Sequence, residues 1–135
     1  MSTARRPRAQ ILLMVLFALL GVQAIAQVVL HLVGRNDDPA ELMFLQALIG
    51  ASGLMAARGA WTAARWSPVA ALGYGAITGG MLFRLGPMLE LGPEETRGIR
   101  FGALSVVLFA LSAAWYLRRL VRANDAKLGT TRAPT

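Results

Sequence analysis

Gln23, Gln27, His31 and Arg35 recur at every fourth position. That spacing places them on one face of a helix. The residues around them are apolar, so a polar stripe would run along an otherwise greasy rod. Gln46, Arg84 and Ser105 each interrupt a further apolar stretch, and Glu41 stands at the start of one of these stretches. Side chains of these types can hydrogen-bond, hold an anion or move a proton. An arginine lining a cavity offers a planar donor fork for a carboxylate or phosphate. Imidazole side chains can carry a proton or bind a metal, so His31 is a candidate for either role, and Glu41 with Glu90 is a candidate acid/base pair. If all four stretches are helices, their rise brings Gln27, Gln46, Arg84 and Ser105 to similar depth, with His31 and Glu41 nearer one surface. The candidate polar cluster is therefore Gln27, His31, Glu41, Gln46, Arg84 and Ser105.

Each of these residues also has a plainer role. The chain has one histidine and no cysteine, whereas a metal site normally takes about three or four protein ligands. No metal and no cofactor is expected, and one histidine cannot supply bis-histidine haem ligation. Arg84 has three readings: snorkelling to the headgroups, a structural ion pair with Glu41 or Glu90, or a binding role. An arginine near a bilayer centre costs about 2.5–3.5 kcal/mol on insertion scales, so none of the three is incidental. His31, Glu41 and Glu90 lie near segment ends, where interfacial polar residues are ordinary, and Glu94-Glu95 reads as a solvated loop. The chain contains no phosphate-binding glycine loop, HExxH pattern or nucleophile elbow, and the sequence assigns no catalytic residue.

The elements that must position these residues follow from composition. The chain has 135 residues, 56% hydrophobic and 16% charged, with a mean hydropathy of +0.52. Soluble domains are about 45–50% apolar and about 25% charged, so a chain whose solvent is lipid is favoured. Four apolar segments stand out, at about residues 9–33, 40–60, 67–89 and 99–117. Each is long enough as a helix to cross a hydrocarbon core of about 30 Å. The first is the clearest and the second, bounded by Glu41 and Arg58, the weakest. Asp38 with Pro39, and Ser67 with Pro68, read as helix starts. Gly86-Pro87 interrupts the end of the third span, and Gly92 to Glu95 reads as a loop. The expected fold is an all-α membrane protein: one antiparallel bundle of four transmembrane helices over residues 1–122, with a polar C-terminal tail over 123–135.

Charge divides by side. With four spans, one side holds Arg5, Arg6, Arg8, Arg58, Arg65, Arg118, Arg119, Arg122, Lys127 and Arg132 against Asp125 alone. The other holds Arg35, Arg97 and Arg100 against Asp37, Asp38, Glu41, Glu90, Glu94 and Glu95. The positive-inside rule then places both termini in the cytoplasm. This split accounts for the net charge of +7 without nucleic acid, since no basic patch is interleaved with aromatic residues. The flanking arginines are suited to anionic headgroups, and Trp61, Trp66, Trp115 and Tyr116 read as an interfacial belt. Arg5-Arg6-Pro7-Arg8, an apolar run and Ala24-Ile25-Ala26 also resemble a signal peptide, but the run continues to Val33, beyond the usual h-region of about 7–15 residues.

In lipid, helices associate through small residues and interhelical hydrogen bonds. Ala71, Gly75 and Gly79 form such a strip in the third segment, with Gly73 and Gly80 thinning the neighbouring face. Ala47 with Ala51 and Gly53 with Ala57 do so in the second, and Ala103, Ser105, Ala110, Ser112, Ala113 and Ala114 in the fourth. Leu45-Gln46-Ala47-Leu48-Ile49-Gly50-Ala51 and Gly80-Met81-Leu82-Phe83-Arg84-Leu85 resemble stretches of a bacterial four-span membrane family catalogued as domain of unknown function 4345. The resemblance implies the architecture and no activity. It differs at Gln46, Ile49 and Ala51, where an arginine, a tyrosine and a paired glycine are expected. Lys127 is the only lysine, and arginine, alanine and glycine abound, as in proteins of GC-rich bacteria. The function expected is that of a multi-pass packing, interaction or auxiliary protein of the bacterial cytoplasmic membrane. Its partners would be the lipid bilayer, a second copy or another membrane protein. The alternative is a small membrane enzyme or carrier with an amphipathic lipid or isoprenoid in an outer-half pocket.

Overall fold

The computed structural model describes residues 5–131 apart from Asn36 and Asp38. The described chain forms four helices: α1 (Arg8–Leu32), α2 (Ala40–Thr62), α3 (Ser67–Met88) and α4 (Pro93–Thr131). All four are long and apolar enough to cross a membrane. The mean hydropathy of their best windows runs from 2.4 in α1 through 1.5 in α2 to 1.2 in α3. The third helix, not the second, is thus the least apolar, because glycine and Arg84 replace aliphatic side chains there.

The helix starts differ in detail from the sequence expectation. Asp38 lies outside the described residues. Pro39 is the N-cap of α2, in extended backbone, instead of its first helical residue, and its carbonyl accepts the Met43 N–H at 3.2 Å. Ser67 is not a cap either. Trp66 precedes α3 and Ser67 is the first helical residue, buried, with its Oγ lacking a hydrogen-bond partner among the described residues. Pro87 lies inside the last turn of α3 without ending it. Pro93-Glu94-Glu95, read as a loop, is the first turn of α4. There Pro93 sits where its missing N–H costs nothing, and the two carboxylates face the positive end of the helix dipole. At the other end α4 stays helical through the polar tail to Thr131. Its 39 residues span about 58 Å at 1.5 Å each, well beyond one hydrocarbon core.

Three helix ends close on a left-handed residue. Gly34 (φ 73°) sits in a Schellman turn, with Arg35 N–H donating to Leu30 O at 2.9 Å and Gly34 N–H to His31 O at 3.0 Å. Glu90 (φ 52°) does the same for α3, with Leu91 N–H on Gly86 O, and Ala63 (φ 49°) ends α2, with Ala64 N–H on Gly59 O. A residue with a Cβ is disfavoured there by about 1–2 kcal/mol. Glycine returns about 0.4–1 kcal/mol of that as unfolded-chain entropy. Ala63→Gly is therefore expected to stabilise the protein by roughly 0.5–1 kcal/mol, read as a raised Tm in detergent. An unchanged or lowered Tm would contradict the left-handed cap.

Helices pack chiefly on their neighbours in sequence, α1 on α2, α2 on α3 and α3 on α4. Backbones approach through glycine. A Cβ on Gly53 would lie 3.0 Å from the Gly21 Cα, and one on Gly50 2.5 Å from the Ile25 side chain. This Gly21–Gly50–Gly53 contact replaces the expected Ala47–Ala51 strip, since Ala51 is exposed. Gly75 meets Ala110, and Gly79 meets Val107 and Ala103, so the α3 strip does pack against α4. Residue numbers rise along one helix as they fall along its neighbour in both pairs. Phe17, fully buried, lies at the centre. Its ring meets Tyr74 of α3 edge-on at 5.4 Å and Phe109 of α4 at 5.5 Å, so one α1 side chain reaches both later helices.

Gln10 is, beside Ser67, a second buried polar residue, 4% exposed. Its Nε2 donates to Ala60 O at 2.7 Å and Trp61 O at 3.2 Å. These carbonyls belong to the last turn of α2, where no helical N–H follows to satisfy them. Gln10→Leu keeps most of the volume and leaves those acceptors unpaired. A loss of about 1–3 kcal/mol is expected, measured as a fall in Tm. Wild-type stability would show that water takes over the bonds.

Candidate functional site

The sequence-predicted polar residues divide into two groups. Gln27 and Gln46 come together across α1 and α2 in a groove of about 240 Å³, whose wall on α3 includes Tyr74, Thr78 and Met81. Gln23, one turn before Gln27, lines it as well. The groove thus carries three carboxamides, a phenol and a hydroxyl on an apolar frame. Each amide is both donor and acceptor, and the hydroxyls can rotate to suit either role. The Thr78 Oγ1 is buried within reach of the Tyr74 hydroxyl, but the two do not form a well-aligned hydrogen bond. Burying a poorly paired hydroxyl in an apolar setting is costly, so a ligand that reached this atom would satisfy it. The arrangement can hold an uncharged polar group by hydrogen bonds.

Arg84 is outside that groove. It points outward, and its Nη1 lies 3.9 Å from Oε1 of Glu41, with side chains 72% and 61% exposed. Both belong to a shallow depression of about 460 Å³ with Phe83, Pro87 and Arg100, where the Arg100 guanidinium lies 5.0 Å from the Phe83 ring centroid. Of the three roles open to Arg84, the geometry combines an outward course with the Glu41 ion pair. Glu41 is also in the first turn of α2, where a carboxylate meets the positive helix end. His31 is half-buried in the last turn of α1 and lines neither cavity. Ser105 is exposed, and its hydroxyl donates to Phe101 O of its own helix at 3.0 Å. Glu90 serves as the left-handed cap of α3. Among the described residues no group of three or more His, Cys, Asp or Glu is placed to hold a metal.

Tyr74, Thr78 and Gln10 were missed in the sequence. Thr78 lies one turn from Tyr74, a polar pair at helical spacing that marks one face of α3. Gln10 had no local signal, because its partners lie fifty positions away. Comparison of the chain with protein-family models, curated proteins and solved structures found no match.

Proposed function

We propose that this is a multi-pass protein of the bacterial cytoplasmic membrane, an antiparallel four-helix bundle with both termini inside, that works by packing against a second copy of itself. Membership of the family catalogued as domain of unknown function 4345 belongs to the same proposal. The sidedness rests on the charge division between the two ends. The observation that carries self-association is on α3. Gly75 and Gly79 use their missing side chains inside the chain, whereas Gly73 and Gly80 have no atom within 4 Å of a Cβ position. These two glycines thin the face beside the α3–α4 seam. With exposed Ala76 they leave a smooth strip on the outer face of a helix, the surface through which helices approach in lipid.

Cross-linking in lipid tests this reading. Wild type is expected to form a dimer, and Gly80→Leu to lose it at unchanged Tm. A wild-type chain that stays monomeric at every protein-to-lipid ratio, or a Gly80→Leu dimer as abundant as wild type, would overturn it.

A second reading, a carrier for an amphipathic lipid or isoprenoid with an uncharged headgroup, is favoured by the Gln23–Gln27–Gln46 groove and the Tyr74 and Thr78 hydroxyls on its wall. The groove is smaller than most ligand pockets, at about 300–1,000 Å³. Its lining carries amides and hydroxyls, which bind without taking part in acid–base chemistry near neutrality.

A further inference from the structure

At the opposite end of the helices, the start of α1 with the residues before it, the end of α2 and the later part of α4 line a cavity of about 330 Å³. Arg5 and Arg6 enter from the segment before α1. Trp61 comes from the last turn of α2, and Asn124 and Lys127 from the extension of α4 beyond its apolar part. Among the described residues the lining holds three cations, Arg5, Arg6 and Lys127, and no carboxylate. Asp125, the acidic residue nearest in sequence, is turned to Arg65 at 3.4 Å. That contact links the α2–α3 connection to the α4 extension.

Two features prepare this cavity for an anion. The Arg6 guanidinium lies over the Trp61 ring at 3.7 Å from its centroid. Stacking fixes the plane of the guanidinium and leaves its N–H donors along the edge, where a phosphate is bound bidentately. A helix C-terminus would ordinarily repel an anion through its free carbonyls. Here Gln10 covers two of them, Ala60 O and Trp61 O. Its amide thus turns a carbonyl-rich helix end into the floor of a cationic pocket.

We propose that this pocket binds the phosphate of an anionic phospholipid headgroup. The proposal rests on the membrane-spanning reading, under which Trp61 and the end of α2 lie at headgroup level. The ligand chemistry is a phosphate oxyanion held by Arg5, Arg6 and Lys127, with Asn124 as a neutral donor.

The test uses the full chain in vesicles of phosphatidylcholine alone and of phosphatidylcholine mixed with phosphatidylglycerol, followed by native mass spectrometry of retained lipid. Phosphatidylglycerol is expected to be retained in preference to phosphatidylcholine. Arg6→Gln and Lys127→Gln should each weaken that retention about fivefold, while Arg118→Gln and Arg122→Gln, equal in charge and outside the lining, leave it unchanged. Equal retention of the two lipids, or equal loss in all four variants, would overturn the proposal in favour of diffuse surface attraction. Displacement of the lipid by millimolar inorganic phosphate would overturn the lipid source and leave a site for a soluble phosphate. Flotation with phosphatidylcholine vesicles separates the premises. A chain that fails to float sinks the membrane reading itself, whereas a chain that floats without headgroup preference sinks only the pocket.

Discussion

Gly75→Val is expected to destabilise the protein by about 3 kcal/mol or more in detergent, read as a large fall in Tm, while Gly73→Val leaves Tm close to wild type. The two positions are two residues apart on α3 and differ in what a new side chain would meet. At Gly75 a Cβ would overlap the Ala110 Cβ, and the Ala110 Cα is 3.7 Å away. Ala110 is itself buried, with 2% of its surface exposed, so it has nowhere to turn. Its side chain is a single methyl without a rotamer to change, and only a backbone shift of α4 can relieve the clash. Overpacking in close-packed cores costs about 1–3 kcal/mol and occasionally more. A site without rotamer freedom belongs at the upper end. The same shift would pull α4 from Gly79, where a Cβ position lies 2.8 Å from the Val107 side chain, so the whole α3–α4 seam opens together.

A double-mutant cycle isolates this contact. Gly75→Ala and Ala110→Gly exchange the methyl across the seam, and the pair is expected to be more stable than the sum of the single changes predicts. Coupling of about 1 kcal/mol or more would be normal for touching residues. The measurement is Tm, with size-exclusion profiles to separate unfolding from aggregation. Zero coupling would mean that α3 and α4 do not meet at these residues.

This contrast also marks what the sequence could reveal. The four helices were legible because the requirement is crude: about twenty apolar residues satisfy a slab of fixed thickness. Gly75 and Gly79 were legible because a step of four keeps both on one face. The faces of the other helices were legible only in part. In a soluble helix the apolar stripe identifies the buried side, whereas in lipid both sides are apolar and the period disappears, so that small residues alone mark a contact. Gly53 with Ala57, and Ala103, Ala110, Ala113 and Ala114, are buried as their type and spacing suggest, whereas Ala51, Ser105 and Ser112, equally small, are exposed. Gly21 and Gly50, which complete the contact at Gly53, did not stand out.

The polar cluster met the same limit. Depth follows from counting residues along each helix, and Gln27 and Gln46 do line one groove. Rotation about the helix axis does not follow from counting, and it sends Arg84 and Ser105 away from the groove. The first turn of α4 had a signal that admitted two meanings. Proline followed by two glutamates after glycine fits a loop, and fits equally a helix that opens on proline with carboxylates at its positive end.

Phe17→Ala is expected to be the most damaging truncation in the core, and the reason is specific to a membrane solvent. In water, losing a buried phenyl costs about 3–5 kcal/mol, part of it the transfer of apolar surface and part the cavity left behind. In lipid the transfer part shrinks, because hydrocarbon tails solvate a phenyl ring as well as leucine does. What remains is lost packing. Phe17 is fully buried and is the α1 side chain whose ring meets both Tyr74 and Phe109. Aromatic pairs contribute about 0.5–1.5 kcal/mol each beyond burial, and removing the ring ends two at once. The cavity would border the Tyr74 and Phe109 rings, while the Phe17 backbone stays held against α2, its carbonyl 3.3 Å from the Cβ position of Gly53, so α1 cannot move in to fill it without leaving α2. A loss of about 2–4 kcal/mol follows. Phe17→Leu should recover part of it, whereas Leu19→Ala, on an exposed face of the same helix, should cost under about 0.5 kcal/mol. Thermal unfolding in one detergent ranks the three. If Leu19→Ala proved as harmful as Phe17→Ala, the face of α1 turned inward here would be the wrong one.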